Sequence, residues 1–172
     1  MERQSINMDH ALFNHITTFV FDVDGVFTNS DVIVMENGDL VRSMNIRDGQ
    51  AVKIAIDAGY HVAIITKGFS SGVRKRFELL GVPHIYDKLK EKETAFLAYT
   101  SLLKLNKEEI LFMGDDIPDL ILYDKVGISS SPSDGAAENL QRAQFISSKK
   151  GGEGCVREVI EKVMRIQGKW NF

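Results

Sequence analysis

Short apolar runs alternate with amphipathic stretches along most of the chain. Six runs are rich in β-branched and aromatic residues and predict strands at 18–21, 61–65, 84–86, 110–113, 126–128 and 144–146. Helical periodicity fills the intervals, at about 49–58, 70–80, 92–104, 118–124, 135–141 and 155–167. Strands that are apolar on both faces need helices on both sides, so the alternation predicts a three-layer, Rossmann-like α/β sandwich with a parallel sheet.

The segment 31–44 breaks this alternation after the first predicted strand. Apolar residues at 32–35 and 40–44 flank the pair Asn37-Gly38, which is typical of a tight hairpin turn. We therefore expect a β-hairpin inserted at this point. A length of 172 residues is ordinary for one domain, so we predict that residues 1–172 form a single domain.

Composition and charge exclude several classes of function. Hydrophobic residues make up 44% of the chain and charged residues 26%, as in ordinary globular proteins. The net charge of −3 provides no basic surface for nucleic acid or for an anionic membrane. The only cysteine, Cys155, fits a reducing compartment, and no apolar run approaches the ~20 residues of a membrane helix. We expect a cytoplasmic protein that binds neither nucleic acid nor a membrane.

Polar residues follow four of the predicted strands. In parallel α/β sheets, ligands bind at the carboxyl ends of the strands, and this edge collects acids, a hydroxyl group and lysines. They are Asp22 and Asp24 after the first strand, Thr66 and Lys67 after the second, Lys92 at the start of the helix after the third, and Asp115, Asp116 and Asp119 after the fourth. The sequence therefore predicts one polar site assembled from four segments.

The residue types at this edge suit phosphoryl chemistry. Two carboxylates that leave a core strand so close together repel each other unless a cation or a phosphoryl group relieves them. Asp22 and Asp115 offer the oxygen ligands that Mg²⁺ prefers, and Asp24 is a third candidate metal ligand. Asp22, nearest the strand end, is the predicted nucleophile that forms an aspartyl-phosphate. Asp24 is the predicted general acid and base, and Thr66 and Lys92 are predicted to hold the phosphoryl oxygens.

Each of these segments also has a structural alternative. An Asp-x-Asp or Gly-Asp-Asp sequence after a strand fits a turn or a helix cap, and Thr66 can cap the turn that follows it. Lys88 competes with Lys92 for the phosphate-binding role. Asp116 and Asp119 either contact the metal or position Lys92, and the sequence leaves both roles open.

The order of the motifs resembles that of the haloacid-dehalogenase-like phosphatases. The segments that carry the resemblance are residues 22–28, Thr66, Lys92 and residues 114–119, with residues 45–49 and 151–158 similar to a narrower group of these enzymes. The resemblance covers about residues 16–169. It implies a capless, Mg²⁺-dependent phosphatase that hydrolyses the phosphate monoester of a 2-keto-3-deoxy sugar acid, with 3-deoxy-D-manno-octulosonate 8-phosphate as the implied substrate.

The same resemblance implies an assembly and a set of substrate contacts. Enzymes of this kind are homotetramers in which the hairpins form a central barrel and a neighbouring subunit lines each site. The hairpin at 31–44 lies at the corresponding place in this sequence. The positions implied to contact the substrate or its phosphate are Asp24, Asn45, Ile46, Arg47, Asp48, Gly49, Lys53, Lys67, Arg76 and Lys92. The glycine-rich residues 151–154 are expected to have a structural or site-lining role.

Two positions depart from the family pattern. Gly68 stands where the family has an arginine that helps to hold the substrate, and Lys53 occupies a second arginine position. Lysine lacks the planar fork that grips a carboxylate with two hydrogen bonds. Lys67, one residue before Gly68, offers a compensating charge. The departure keeps the nine-carbon substrate 2-keto-3-deoxynononate 9-phosphate open as an alternative.

Two alternatives lie outside the phosphatases. A signalling receiver domain also uses acids, a threonine and a lysine on such a sheet, but its acid pair is contiguous after the first strand. Here Asp22 and Asp24 are separated by one residue, and the contiguous pair Asp115 and Asp116 comes late. A catalytically idle binding module is the other alternative, against which the complete set of acids and Lys92 argue.

Overall fold

The computed structural model describes residues 12–172. The strands in this part of the chain are β1 (Thr18–Phe21), β2 (Ile33–Val34), β3 (Leu40–Val41), β4 (His61–Ile65), β5 (His84–Tyr86), β6 (Ile110–Met113), β7 (Ile128–Ser131) and β8 (Phe145–Ile146). The helices that follow β1 are α1 (Ile46–Asp57), α2 (Ser71–Leu79), α3 (Lys92–Leu103), α4 (Leu120–Tyr123), α5 (Ala137–Arg142) and α6 (Cys155–Ile166). Two short 3₁₀ helices span Lys107–Glu109 and Ile117–Asp119.

Six strands form a parallel sheet in the order β5-β4-β1-β6-β7-β8. β1 lies near the centre, with Thr18 opposite His61 of β4 on one side and opposite Ile110 of β6 on the other. Because the strands run in one direction, the segments that follow β1, β4 and β6 emerge at the same edge. The predicted α/β sandwich with a parallel sheet is confirmed, and no cap domain is evident within residues 12–172.

Helices cover both faces of the sheet. Phe19 and Phe21 of β1 join a core with α1, α2 and α6, whereas Val20 joins a second core with α3 and α4. The alternation follows from the two-residue repeat of a strand. All four residues of β1 are buried, so packing on both faces fixes the end of the strand from which Asp22 emerges.

The helices agree with the predicted ranges to within a few residues. α1 begins three residues before its predicted start, because Asn45 caps it by accepting the N–H of Arg47 at 2.8 Å. The helix predicted at 118–124 is divided between a 3₁₀ helix and α4. None of the helices described here is long and apolar enough to cross a membrane.

The predicted hairpin is present but its paired part is shorter than expected. β2 and β3 are antiparallel, with Ile33 opposite Val41, and the N–H of Gly38 closes the turn by donating to the carbonyl of Met35 at 2.8 Å. Its apolar side chains point into solvent, since Ile33 is 59% exposed and Val34 is 68% exposed. The described part of the chain therefore leaves the apolar surface of the hairpin uncovered.

The strand predicted at 126–128 was wrong in its position. β7 begins at Ile128 and continues through three buried serines. Ser130 Oγ donates to the carbonyl of Phe112 at 2.9 Å, and Ser131 Oγ donates to the carbonyl of Pro132 at 3.1 Å. Hydrogen bonds of this kind allow hydroxyl groups to be buried, so an apolar pattern does not mark this strand.

Candidate active site

The segments that follow β1, β4 and β6 enclose a pocket of about 260 Å³ at the carboxyl edge of the sheet. We call it the acid pocket. It is lined by Asp22, Asp24, Ser30, Thr66, Lys67, Gly68, Lys92, Asp115, Asp116, Pro118 and Asp119. All eight polar residues that the sequence placed at this edge are therefore brought together by the fold.

Lys92 joins two of the acids. It is the first residue of α3 and is only 4% exposed. Its Nζ lies 2.8 Å from Asp22 Oδ2 and 2.5 Å from Asp119 Oδ1, and a buried ammonium group requires such partners. The competing candidate Lys88 instead lies over the ring of Phe69. Lys92 is thus the lysine that contacts the acids of the pocket.

Asp119 holds the loop after β6 in place. Its Oδ2 accepts the backbone N–H groups of Asp115 at 3.0 Å and of Asp116 at 3.2 Å, while its Oδ1 accepts from Lys92. Asp116 itself is exposed and accepts the N–H of Ile117 at 2.8 Å. Of the two roles that the sequence left open for Asp119, the structure shows the positioning of Lys92.

The charges of the pocket are unbalanced. Burial, and then the charge of Asp119, raises the pKa of Asp22 to about 6 in spite of Lys92. Burial, followed by the charges of Asp22 and Asp119, raises the pKa of Asp115 to about 8. Burial lowers the pKa of Lys92, but Asp22 and Asp119 together outweigh it and raise the value above the ordinary one. Three carboxylates around one ammonium group thus leave an excess of negative charge, which a proton or a cation relieves.

The acids of the pocket fit a divalent cation. Oxygen atoms of Asp22, Asp115 and Asp119 lie within 4.8 Å of one another. Asp22 Oδ1 is buried and has no hydrogen-bond partner among the described residues, a costly state that a metal ion would relieve. An all-oxygen donor set suits a hard cation such as Mg²⁺. The Asp24 carboxylate, which the sequence placed among the metal ligands, is not in this cluster.

Glycines shape the loop after β1. Gly25 has a φ of +80°, which favours glycine, and a Cβ at this position would lie 1.9 Å from Asp115 Oδ2. A Cβ at Gly151 would lie 2.0 Å from the carbonyl oxygen of Gly25, and the N–H of Gly152 donates to the carbonyl of Val26 at 2.9 Å. The glycine-rich segment before α6 therefore has a structural role, because its backbone packs directly on the loop that carries Asp22 and Asp24.

Asp24 is paired with an arginine that the sequence did not single out. Arg42, which directly follows β3, donates from Nε to Asp24 Oδ1 at 2.6 Å and from Nη2 to Asp24 Oδ2 at 3.3 Å. Gly68 lies beside the pair, and a Cβ there would be 2.7 Å from Asp24 Oδ2. Arg42 is 18 residues away from Asp24 in the sequence, so only the folded hairpin brings them together.

Thr66 and Lys67 complete the wall of the pocket after β4. Thr66 is buried, and its Oγ1 accepts the N–H of Gly68 at 3.2 Å. This is the turn-capping role that the sequence left open. A hydroxyl group that accepts in this way still has a proton to donate to a phosphoryl oxygen, so the two roles are compatible. Lys67 is exposed at the rim.

Several of the residues implied to bind substrate have structural partners instead. Asp48 is fully buried, and its Oδ1 accepts the N–H of Arg157 at 2.7 Å, at the start of α6. This contact ties α1 to α6, and the implied contact of Asp48 with the substrate remains a prediction. The Nδ2 of Asn45 donates to the carbonyl of Gly152 at 3.3 Å, and Gly49 is buried. Asn45 thus anchors the start of α1 to the glycine-rich segment, and Asp48 anchors it to the start of α6.

The other implied substrate contacts are not brought to the acid pocket by a single chain. Arg47 is exposed and lies with Arg157 in a groove of about 730 Å³ along α6. Ile46 and Arg76 line a second groove, of about 760 Å³, between the hairpin and the start of α2. Lys53 is exposed on α1, and its Nζ lies 3.5 Å from Asp57 Oδ2 one turn later. Their role in binding substrate remains a prediction.

Comparison with known proteins places this geometry in a family. The chain is 32% identical over 159 residues to 3-deoxy-D-manno-octulosonate 8-phosphate phosphatase KdsC of Escherichia coli strain K12, covering 92% of this chain and 85% of that protein. No protein-family model matches the chain.

Solved structures agree with the sequence relatives. A structure from Legionella pneumophila assigned to subfamily III A of the HAD superfamily is 32% identical, with a TM-score of 0.93 and coverage of 98% of this chain and 94% of that one. The 3-deoxy-D-manno-octulosonate 8-phosphate phosphatase of Moraxella catarrhalis was solved in complex with magnesium, phosphate and KDO (3-deoxy-D-manno-octulosonate). It is 30% identical to this chain, with a TM-score of 0.91 and coverage of 96% of this chain and 95% of that one. The chain therefore belongs to the haloacid-dehalogenase-like phosphatases and, among them, resembles the 3-deoxy-D-manno-octulosonate 8-phosphate phosphatases.

Proposed function

We propose that this chain hydrolyses the phosphate monoester of a 2-keto-3-deoxy sugar acid, 3-deoxy-D-manno-octulosonate 8-phosphate, in a Mg²⁺-dependent reaction. The observation that carries the proposal is the convergence of Asp22, Asp115, Asp119 and Lys92 at the end of β1. Such a site offers a carboxylate nucleophile beside a cation site and an ammonium group. The chain is 32% identical to an octulosonate phosphatase over 92% of its length, which supports the choice of substrate. The same similarity favours an enzyme over a receiver domain or a catalytically idle binding module.

Asp22 and Asp115 are the residues that we expect to hold Mg²⁺, with Asp119 completing the acidic surroundings. When bound, Mg²⁺ neutralises charge on the phosphoryl oxygens and the carboxylates. Asp119 keeps Lys92 and the N–H groups of the loop after β6 in fixed positions. The site is therefore organised before the substrate arrives, which is the condition for electrostatic stabilisation of the transition state.

The first step forms a covalent intermediate on Asp22. A carboxylate oxygen of Asp22 bonds to phosphorus while the bond from phosphorus to the sugar oxygen breaks. Asp24 gives its proton to the departing sugar oxygen, so the sugar leaves as an alcohol. Lys92 and Thr66 bind the phosphoryl oxygens as charge moves onto them.

The second step regenerates the enzyme. Asp24, now ionised, takes a proton from a water molecule whose oxygen attacks phosphorus. The bond between phosphorus and Asp22 breaks, and inorganic phosphate is released. Asp24 thus serves first as an acid and then as a base, which requires its carboxylate to stay close to the reacting oxygen in both steps.

Asp22→Asn tests the nucleophile. The amide cannot form the acyl phosphate, so we expect phosphate release to fall at least ~10⁴-fold while the protein keeps its circular dichroism spectrum and its cooperative unfolding. Asp124→Asn, at an exposed ion pair with Arg142, is the matched control and should retain activity. Turnover of Asp22→Asn near the wild-type rate would remove Asp22 from the mechanism.

The substrate is tested by comparing kcat/KM for the eight-carbon and nine-carbon sugar acid phosphates. We expect the eight-carbon compound to be preferred. The nine-carbon alternative rests on the segment Thr66-Lys67-Gly68, where Gly68 replaces the arginine of the family pattern. A higher kcat/KM for 2-keto-3-deoxynononate 9-phosphate would overturn the substrate assignment without affecting the assignment as a phosphatase.

We further propose that copies of the chain associate through the hairpin into a homotetramer. The exposed apolar side chains of β2 and β3 support this association, because a two-stranded hairpin is marginal in water without a packing partner. Association would also bring a neighbouring chain close to the acid pocket, since Arg42 links the hairpin to Asp24. Sedimentation measurements give the oligomeric state directly.

A further inference from the structure

The ion pair between Arg42 and Asp24 joins the hairpin to the acid pocket. All three guanidinium nitrogens of Arg42 are used: Nε and Nη2 donate to Asp24, and Nη1 donates to the carbonyl of Leu40 at 3.3 Å. The third bond fixes the guanidinium against the backbone of β3. The orientation of the Asp24 carboxylate is therefore set by the hairpin and not by the loop that carries Asp24.

The low exposure of Arg42 separates this pair from ordinary surface ion pairs. The Arg42 side chain is 10% exposed, whereas that of Asp24 is 42% exposed. In the pair between Arg142 and Asp124, the side chains are 43% and 82% exposed. Exposed pairs contribute little, but a two-bond contact from a buried guanidinium fixes both the position and the plane of the carboxylate.

The fold leaves space for this contact at Gly68. A Cβ at that position would lie 2.7 Å from Asp24 Oδ2 and 3.7 Å from Arg42 Nη2, so a larger residue would displace the carboxylate from its present position. The backbone of Gly68 has no positive φ, so glycine is not required there by conformation. In this chain the absence of a side chain thus leaves room for Asp24 Oδ2 beside Arg42, whereas the arginine of the family pattern at this position would require the carboxylate to lie elsewhere.

We propose that Arg42 is a positioning residue for Asp24 in the phosphatase reaction. The proposal rests on the proposed function, in which Asp24 protonates the leaving oxygen and then deprotonates water. Without Arg42, the half-exposed carboxylate of Asp24 is free to turn into solvent. Proton transfer depends steeply on the distance and direction between the carboxylate and the leaving oxygen.

The leaving group of the substrate separates this role from a general loss of structure. A sugar alcohol leaves as an alkoxide unless it receives a proton, whereas p-nitrophenol leaves readily as its anion. A defect in the positioning of Asp24 therefore slows the first step, in which the leaving group departs, much more for the sugar acid phosphate than for p-nitrophenyl phosphate. The second step, in which Asp24 acts as a base, is common to both substrates, so the comparison uses kcat/KM, which reports only the steps up to departure of the leaving group. A damaged fold or a lost metal site slows both.

The experiment determines the steady-state constants kcat and KM for the assembled enzyme with both substrates, in Arg42→Ala and Arg42→Lys. We expect Arg42→Ala to lower kcat/KM for the sugar acid phosphate by about 10²-fold and for p-nitrophenyl phosphate by less than about 3-fold. Arg42→Lys keeps the positive charge but cannot donate two hydrogen bonds in one plane to the Asp24 carboxylate. We expect this variant to lower kcat/KM for the sugar acid phosphate by about 10-fold. Arg142→Ala, at the exposed pair, is the matched control and should leave both rates unchanged.

Gly68→Ala keeps the proposal testable if Arg42→Ala folds poorly, and two further tests apply where Arg42→Ala folds. Gly68→Ala places a methyl group against the Asp24 carboxylate and leaves Arg42 unchanged. It should reproduce the selective loss of activity toward the sugar acid phosphate. The double variant Asp24→Asn with Arg42→Ala should be no slower than Asp24→Asn alone, because Arg42 acts through Asp24. Guanidinium ion at a non-denaturing concentration should restore part of the activity of Arg42→Ala and none of that of Asp24→Asn.

The outcomes distinguish failure of this proposal from failure of the proposed function. If Asp24→Asn lowers kcat/KM equally for both substrates, Asp24 is not the general acid and that step of the proposed function is overturned. If the effect of Asp24→Asn on kcat/KM is selective but Arg42→Ala lowers kcat/KM equally for both substrates, or raises only KM, the positioning role of Arg42 is overturned alone. Selective loss of kcat/KM for the sugar acid phosphate in both variants supports the role that we propose.

Discussion

The acid pocket and the hairpin–α1 region (residues 31–57) differ in how much of each structure one chain provides. In the acid pocket, Asp22, Asp119 and Lys92 are buried, and Lys92 contacts the two acids at 2.8 and 2.5 Å. In the hairpin–α1 region, Ile33 and Val34 are exposed apolar residues without a cover in the described chain. The comparison shows that the acids and the lysine of the acid pocket are brought together within one chain, and it supports our proposal that a second copy covers the hairpin and contributes to recognition of the sugar acid.

After the nucleophile Asp22, the residue of the acid pocket with the largest expected effect is Asp119, which organises the pocket without contacting the reacting atoms in our scheme. In Asp119→Asn, the amide oxygen can still accept from the loop after β6, but the amide N–H groups then face the Lys92 ammonium. We expect kcat to fall about 10²-fold for the sugar acid phosphate and equally for p-nitrophenyl phosphate. Steady-state kinetics with both substrates, with Asp124→Asn as control, measure the effect; a loss confined to the sugar substrate would show that the pocket is not built as a unit.

The next largest effect concerns the hairpin, where Val34→Asp places a charge on the exposed apolar surface. We expect association to be lost in sedimentation measurements and kcat/KM for the sugar acid phosphate to fall by about 10-fold, with little change for p-nitrophenyl phosphate. Leu102→Asp, at a residue of α3 that is 65% exposed, is the control for an added surface charge. A monomeric Val34→Asp variant with full activity on the sugar substrate would show that one chain suffices for recognition, and the comparison would fail.

A smaller effect is expected on the thermal stability of the protein as the pH changes, because the acid pocket contains more carboxylates than positive charges. The folded pKa values of Asp22 and Asp115 are about 6 and 8, above the value of 3.8 for a free aspartate, so the folded state binds more protons between these limits. In EDTA, the melting temperature should therefore fall by several degrees as the pH rises from about 5 to about 8. Mg²⁺ should reverse this loss and stabilise most at the higher pH, because it competes with protons for the same carboxylates.

Asp115→Asn is the matched variant for that measurement. It removes one of the mutually repelling charges, so it should melt higher than the wild type in EDTA at about pH 8. It should also lose most of the stabilisation by Mg²⁺, since a ligand is gone. A metal-dependent shift that survives in Asp115→Asn would place the cation outside the acid pocket.

The same comparison explains which features the sequence could predict. The acid pocket follows from local rules, since a buried strand fixes its end and Asp22, Asp115 and Lys92 each follow a predicted strand. The predicted position of β7 was wrong because three of its residues, Ser129, Ser130 and Ser131, are polar but buried. Their hydroxyl groups form hydrogen bonds inside the protein, and a search for apolar residues does not detect such a strand.

Arg42 could not be found from the sequence for a different reason. Its partner Asp24 lies 18 residues earlier, across a hairpin whose fold determines where the guanidinium points. The partner of Asp48 could not be found from the sequence for a similar reason, because it is the backbone N–H of Arg157 at the far end of the chain. The roles of residues in the hairpin–α1 region thus depend on contacts between segments that are distant in the sequence. These contacts cannot be predicted from the spacing of residues along the chain.

The smallest expected effect tests whether Asp48 belongs to the acid pocket or only to the scaffold of the hairpin–α1 region. Gly154 precedes α6 and has no side chain to cap it, so Asp48 supplies the acceptor for the N–H of Arg157. Asp48→Asn keeps an acceptor oxygen and should change the free energy of unfolding by less than ~1 kcal/mol, whereas Asp48→Ala should lose about 1–2 kcal/mol. Urea denaturation measures the difference.

Kinetics of Asp48→Asn complete this test. We expect the Michaelis constant for the sugar acid phosphate to stay within about 2-fold of the wild-type value, because the buried carboxylate does not reach a substrate. Asp115→Asn, in which a proposed metal ligand is lost, provides the contrasting variant from the acid pocket. If Asp48→Asn keeps its stability but binds the sugar acid phosphate about tenfold more weakly, Asp48 returns to the binding site, and α1 then reaches into the acid pocket.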